Sequence, residues 1–169
     1  MRWLFFVLSG SALALDQATK FWARAAAEGV EGRTFWALWP EVFEFRLVFN
    51  KGIAFGMLQD YGVWLAPIGV IIAVGAAWYS LKHPQESRAT HVTMALLSAG
   101  AVGNLIDRVA FGRVTDMLWV RAIEFPVFNV ADVCITVAGT MLALSAITEL
   151  LHKDRPAEEE AVAEPDLPE

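Results

Sequence analysis

The sequence predicts a membrane α-helical fold: four helices long enough to cross a bilayer, with a small extracytoplasmic β-sheet on one face. Three observations lead there. Of 169 residues, 56% are apolar and only 19% charged, and mean hydropathy is +0.46; soluble domains carry about a quarter charged residues. Uncharged runs of 21, 18 and 16 residues occupy 61–81, 89–106 and 133–148, and about 20 apolar helical residues span the core of a bilayer. The two long connections fall on the same side of such a bundle and alternate with the period of strands.

Each element follows in order. The first helix covers about 3–22. Met1-Arg2, an apolar stretch and Ala12-Leu13-Ala14 also read as a secretory signal with a small-residue cleavage site. The alternative is an uncleaved helix in which Asp16 and Lys20, four apart with the acid first, pair on one face. In the connection 23–60, Phe43, Phe45, Leu47 and Phe49 alternate with Glu44, Arg46 and Val48, as in a strand. That strand runs into Asn50-Lys51-Gly52-Ile53-Ala54-Phe55-Gly56, whose glycines permit a turn or a close backbone approach. Helices follow over 61–81 and 89–106. In the connection 107–126, Val114, Asp116, Leu118 and Val120 alternate with Arg113, Thr115, Met117 and Trp119. The fourth helix covers 127–151, so that 1–151 forms one membrane domain. Residues 152–169 hold Lys153 and Arg155 against seven acids and read as a disordered acidic tail.

The tail supplies most of the net charge of −6. The body is near neutral and offers no basic field to nucleic acid. The single cysteine, Cys134, excludes an internal disulfide framework and a Cys-rich metal site. Both termini fall on one side. The density of Lys and Arg in the short segments around Arg2, Lys82, Arg88 and Lys153 makes that side cytoplasmic, although the raw count of basic residues does not.

Polar residues at membrane depth are costly, and here they gather at one face: Asp16 and Lys20, then Asn104, Asp107 and Arg108, then Asp116, then Asn129 and Asp132. Structural readings exist for most of them. Asp16–Lys20 can be an ion pair, Asn129 to Asp132 a helix cap, and Asp107–Arg108 a charge pair at a helix end. Asp116 resists such a reading, because it occupies the apolar phase of a strand, where a lone carboxylate is penalised. Two such carboxylates sharing one proton could activate water and donate to a carbonyl oxygen, which is aspartic amide hydrolysis. His83, His91 and His152 are placed for neither a Ser-His pair nor a zinc site, and no P-loop is present. A proton- or ion-coupled carrier would stack its acids through the bilayer. A non-catalytic assembly protein gives no reason for Asp116.

Asp16-Gln17-Ala18-Thr19-Lys20, the Asn50 to Gly56 segment, Gly100 to Arg108, Val114-Thr115-Asp116 and Phe128-Asn129-Val130-Ala131-Asp132 form an ordered set over about residues 2–151. It closely resembles bacterial lipoprotein signal peptidase (signal peptidase II). The resemblance implies four transmembrane helices, a periplasmic β-cradle and a periplasmic helix, an uncleaved first helix, and both termini in the cytoplasm of a bacterial inner-membrane protein. It implies removal of the signal peptide from diacylglyceryl-modified prolipoproteins, with the cut just before the lipidated cysteine, and the dyad Asp116 and Asp132. Asn104, Asp107, Arg108 and Asn129 match supporting positions, Asn50, Gly52 and Ala54 match the cradle motif, and Asp16 and Lys20 match the first-helix motif. Ala99, Thr115 and Met117 depart from residues common in the family. The expected partners are the prolipoprotein substrate and membrane lipid. No metal, cofactor or nucleic acid is expected, and the protein is expected to be a monomer.

Overall fold

The computed structural model describes residues 2–52 and 66–153. Its element order is α1 (Arg2–Ala26), β1 (Thr34–Trp39), β2 (Phe43–Asn50), α2 (Ala66–Lys82), α3 (Arg88–Phe111), β3 (Val114–Val120), a 3-10 turn (Arg121–Ile123) and α4 (Val130–Lys153). Among the described residues two helices, Arg88–Phe111 and Val130–His152, are long and apolar enough to cross a membrane by length and composition. The architecture is thus helical and of membrane type, with a small antiparallel sheet. The second half of the cradle motif (Ile53 to Gly56), the start of the second expected helix (61–65) and most of the acidic tail lie outside the described residues.

Helix α3 is the hub, packing against α1, α2 and α4. Its first turn is capped by Ser87, whose hydroxyl accepts the Thr90 N–H at 3.1 Å; such a cap contributes about 1 kcal/mol. It ends at Gly112, which takes the left-handed conformation (φ 68°) and returns its N–H to Arg108 O, a conformation that costs glycine least because it has no Cβ. The uncharged run in the sequence stops at 106. The helix continues for another turn because the C-cap sits at Gly112, and so it carries Asp107 and Arg108. Gly103 lets the helices close up. A Cβ there would stand 2.5 Å from Asp16 Oδ2 and 3.2 Å from the Ala131 Cβ, so α1, α3 and α4 converge at this level.

The three strands pair antiparallel in the order β1-β2-β3. β1 is additional to the two strands expected from alternation: Thr34-Phe35-Trp36-Ala37-Leu38-Trp39 has no polar phase to mark a strand. Trp22 near the end of α1 clasps the sheet, its ring edge-on to Phe35, Trp36 and Phe45 at centroid distances of 5.1, 5.8 and 5.3 Å. A small core of Ala23, Ala27, Leu47 and Met117 fills the space between α1 and the sheet.

The strict alternation expected of β2 breaks once. Phe45 faces Leu118, but Val48 faces Asp116 and Asn50 faces Val114. β2 therefore holds one extra residue between Phe45 and Val48, a bulge that exchanges its two faces. Beyond it Val48 and Asn50, not Leu47 and Phe49, share the face of Asp116. Val114, Thr115, Asp116 and Met117 are all buried, so the start of β3 is covered on both sides.

Candidate active site

The site forms where the three helices converge beneath the sheet. A short bridge ties β3 to the chain entering α4: Leu118 N–H donates to Phe128 O at 2.8 Å, and Phe128 N–H returns to Leu118 O at 3.0 Å. The bridge brings Asn129, the residue before α4, alongside Asp116.

Asn129 and Asp132 cap α4 reciprocally. Asp132 N–H donates to Asn129 Oδ1 at 2.9 Å, and Asn129 N–H donates to Asp132 Oδ2 at 3.2 Å. This is the capping box expected from the spacing, with an aspartate in place of glutamate. The cap also orients the amide. With Oδ1 occupied, Asn129 turns its Nδ2 inward, donating to Asp116 Oδ1 at 2.6 Å and to Asn104 Oδ1 at 3.1 Å. Asn104 in turn donates through Nδ2 to Asp132 Oδ1 at 2.8 Å. The amide orientation of Asn104 follows, because its oxygen accepts from both Asn129 and Lys20 Nζ, the latter at 3.0 Å. Two asparagines thus join the two aspartates.

Behind them, Lys20 and Asp16 form an ion pair at 2.9 Å that is all but sealed from solvent. Asp16 Oδ1 accepts Ala131 N–H at 2.9 Å, and Lys20 Nζ also donates to Gly103 O at 3.2 Å. A buried ion pair is tolerable when its remaining donors and acceptors are satisfied, and this pair binds α1 to α3 and α4.

Asp116 is buried, and the causes acting on it oppose one another. Burial raises its pKa most and the negative charge of Asp132 raises it further, whereas hydrogen bonds from Asn129 and Asn50 lower it; the balance is pushed up to about 7. Asn50 reaches Asp116 because of the β2 bulge. Asn50 Oδ1 also accepts Gly52 N–H at 2.9 Å, and Arg108 Nη2 donates to Gly52 O at 3.3 Å. The sequence suggests a pairing of Asp107 with Arg108, but the ion pair Asp107 makes is with Arg24, at 3.6 Å. Successive helical residues do not face each other, and Asp107 points towards α1 and β3. Arg24 lies outside the sequence motifs, and Gln17 lies within one that assigns it no role. Gln17 donates to Asp16 Oδ2 at 3.0 Å and to Gly103 O at 3.2 Å. Arg24 continues the i, i+4 series from Asp16 through Lys20, and that spacing is a usable signal.

A cleft of about 610 Å³ opens from this network. Asn50, Asn104, Arg108, Asp116 and Asp132 give it a polar end, and Ile68, Ile72, Leu97 and Val133 are among the apolar residues that line the rest. Among the described residues no cluster of His, Cys, Asp and Glu could hold a metal. Cys134 is buried, and His91 is occupied with Ser80 Oγ at 2.7 Å. Arg108 Nε and Asp107 Oδ1 are buried without a partner among the described residues.

Fold and site together define a helical, membrane-type protein with a pair of carboxylates held by amides at one end of its bundle. The family model described as signal peptidase (SPase) II matches residues 8–148, and the chain belongs to that family. A lipoprotein signal peptidase of Gloeobacter violaceus is 39% identical over 155 residues, 92% of this chain and 86% of the relative. One from Synechocystis is 38% identical over 134 residues, covering 79% and 81%. A solved structure titled as a bacterial membrane enzyme superposes with a TM-score of 0.79 at 26% identity, covering 90% of this chain and 92% of that one. A second with that description gives 0.71 at 28% identity, covering 84% and 91%. The family consists of bacterial membrane proteins, aspartic peptidases that remove signal peptides from prolipoproteins.

Proposed function

We propose that Asp116 and Asp132 are the catalytic dyad and that the scissile bond lies just before a cysteine carrying diacylglycerol. The observation that carries this reading is the pair of amide bridges. Asn129 and Asn104 hold the two carboxylates in one buried network, and the geometry suits two acids that share a proton and a water.

The unequal surroundings of the two acids support a division of labour. Asp132 sits in the first turn of α4, where the helix dipole favours an anion, and both its oxygens accept N–H donors. Asp116 sits buried in a strand, not in the first turn of a helix. In the resting enzyme Asp132 is the carboxylate and Asp116 holds the proton. Asp132 takes a proton from the water as its oxygen attacks the peptide carbonyl, and Asp116 gives its proton to the carbonyl oxygen. Collapse of the diol returns a proton to Asp116, while Asp132 protonates the leaving nitrogen. The two start states are restored, with no metal and no covalent intermediate.

The supporting residues then have distinct tasks. Asn50 and Asn129 orient Asp116, Asn104 orients Asp132, and the Lys20–Asp16 pair fixes Asn104. Arg108 lines the polar end of the cleft and positions the peptide. Asp107 and Gly52 hold the backbone around the site. The apolar part of the cleft, between α2, α3 and α4, receives the lipid chains, so that only the peptide meets the acids. Four helices cross the bacterial inner membrane with both termini in the cytoplasm, the dyad lies at the periplasmic face, and the protein works as a monomer. The test is cleavage of a synthetic prolipoprotein peptide, with and without diacylglycerol on its cysteine, by the wild type and by Asp116→Asn and Asp132→Asn.

A further inference from the structure

Arg24 lies outside every motif singled out in the sequence, yet three elements meet on it. It occupies the last turn of α1, where the helix dipole favours a cation. Its Nη1 donates to Thr115 Oγ1 at 2.7 Å and lies 3.6 Å from Asp107 Oδ2. The same Asp107 oxygen accepts the Thr115 backbone N–H at 2.8 Å. The guanidinium rests over the ring of Phe111, 4.7 Å from its centroid, which holds it in place by cation–π attraction. Thr115 is therefore gripped twice: by its N–H from α3, and by its hydroxyl from α1.

Thr115 immediately precedes Asp116. Adjacent strand residues point to opposite faces, so a grip on the Thr115 side chain fixes the backbone from which Asp116 projects without contacting Asp116 itself. Asp107 is fully buried, and a buried carboxylate needs a compensating cation; among the described residues Arg24 is the one that pairs with it. The geometry points to Arg24 as a positioning residue that clamps Thr115 to Asp107 and so sets Asp116 against Asn129 and Asp132. Arg24 does not line the cleft, so it acts through the strand and not on substrate. This inference rests on the reading of Asp116 as catalytic.

The experiment compares the full chain in detergent with Arg24→Met, Thr115→Val, their double variant and Thr115→Ser, using a diacylglyceryl peptide as substrate. Arg24→Met and Thr115→Val each lower kcat by about ten- to a hundredfold, the scale set by an ångström of misplacement, with KM unchanged. The double variant is no slower than the slower single variant, because each single variant already breaks the Arg24–Thr115 hydrogen bond. Thr115→Ser keeps the hydroxyl and restores the rate. Wild-type kcat in Arg24→Met and Thr115→Val overturns the inference, as do losses that multiply in the double variant or a loss in Thr115→Ser equal to that in Thr115→Val. Inactivity of Asp116→Asn in the same preparations leaves the dyad standing in each of those cases; activity there removes the dyad first. Should Arg24→Met fail to fold, the Thr115→Val and Thr115→Ser pair decides the question alone.

Discussion

Replacing Asp116 by Asn changes the dependence of stability on pH in a direction the structure fixes. Asp116 has its pKa raised from the ordinary 3.8 to about 7. The folded protein therefore keeps a proton that the unfolded chain releases once pH passes about 4. A proton held more tightly by the folded state stabilises it at low pH, and that stabilisation is lost as pH climbs from about 4 to about 7. At about 1.4 kcal/mol per pH unit, the gap amounts to about 4 kcal/mol, a ceiling reached when Asp116 is fully hydrated in the unfolded chain. The replacement amide cannot ionise, but its oxygen can still accept the Asn129 Nδ2 hydrogen. Any packing difference adds the same offset at every pH. The measurement is unfolding of wild type and variant in the same detergent at half-unit steps from about pH 4 to 8. The wild type loses stability relative to the variant across that window and the difference is flat above it. A difference that does not change with pH, or a wild type that gains on the variant as pH rises, refutes the reasoning.

Two further outcomes follow from the packing behind the dyad. Gly103→Ala drives a methyl against Asp16 Oδ2 and Ala131, and a core overpacked in this way loses about 1–3 kcal/mol, read as a lower unfolding midpoint. Lys20→Met leaves the buried Asp16 carboxylate without its cation and costs about 3–5 kcal/mol; in the same unfolding assay, Asp16→Asn combined with Lys20→Met recovers part of that loss.

The helices are largely legible in the sequence because length and charge alone mark them. Ala89 to Ile106 has no charged residue, and Asp16 and Lys20 announce a shared helix face. The sheet is half legible. β2 and β3 show their alternation, but Thr34 to Trp39 of β1 is apolar in both phases and carries no period. The bulge in β2 leaves no mark, since one extra residue between Phe45 and Val48 is a matter of pairing with β3. That bulge is what turns Asn50 towards Asp116, so a motif can point to Asn50 while the strand period alone does not place its contact. Asp116 stands out in the sequence as a carboxylate in an apolar phase. In the structure both faces of β3 are buried there, and what distinguishes Asp116 is that it faces the cleft while Thr115 and Met117 face α1 and β2. The reciprocal cap of Asn129 and Asp132 can be read from their spacing. The second use of the Asn129 amide cannot, because it depends on the bridge between Leu118 and Phe128. Arg24 is half legible: its i, i+4 step from Lys20 places it on the helix face of Asp16 and Lys20, but its partners, Asp107 and Thr115, are 83 and 91 residues away.

The most direct measurement of the central claim is single-turnover cleavage of a diacylglyceryl prolipoprotein peptide by wild type, Asp116→Asn and Asp132→Asn, each shown to be folded by its unfolding transition. One cut is expected, before the lipidated cysteine, made by the wild type and abolished in both variants. Substantial cleavage by either folded variant contradicts it and transfers that variant's role to another acid, of which Asp107 is the nearest in sequence to the network.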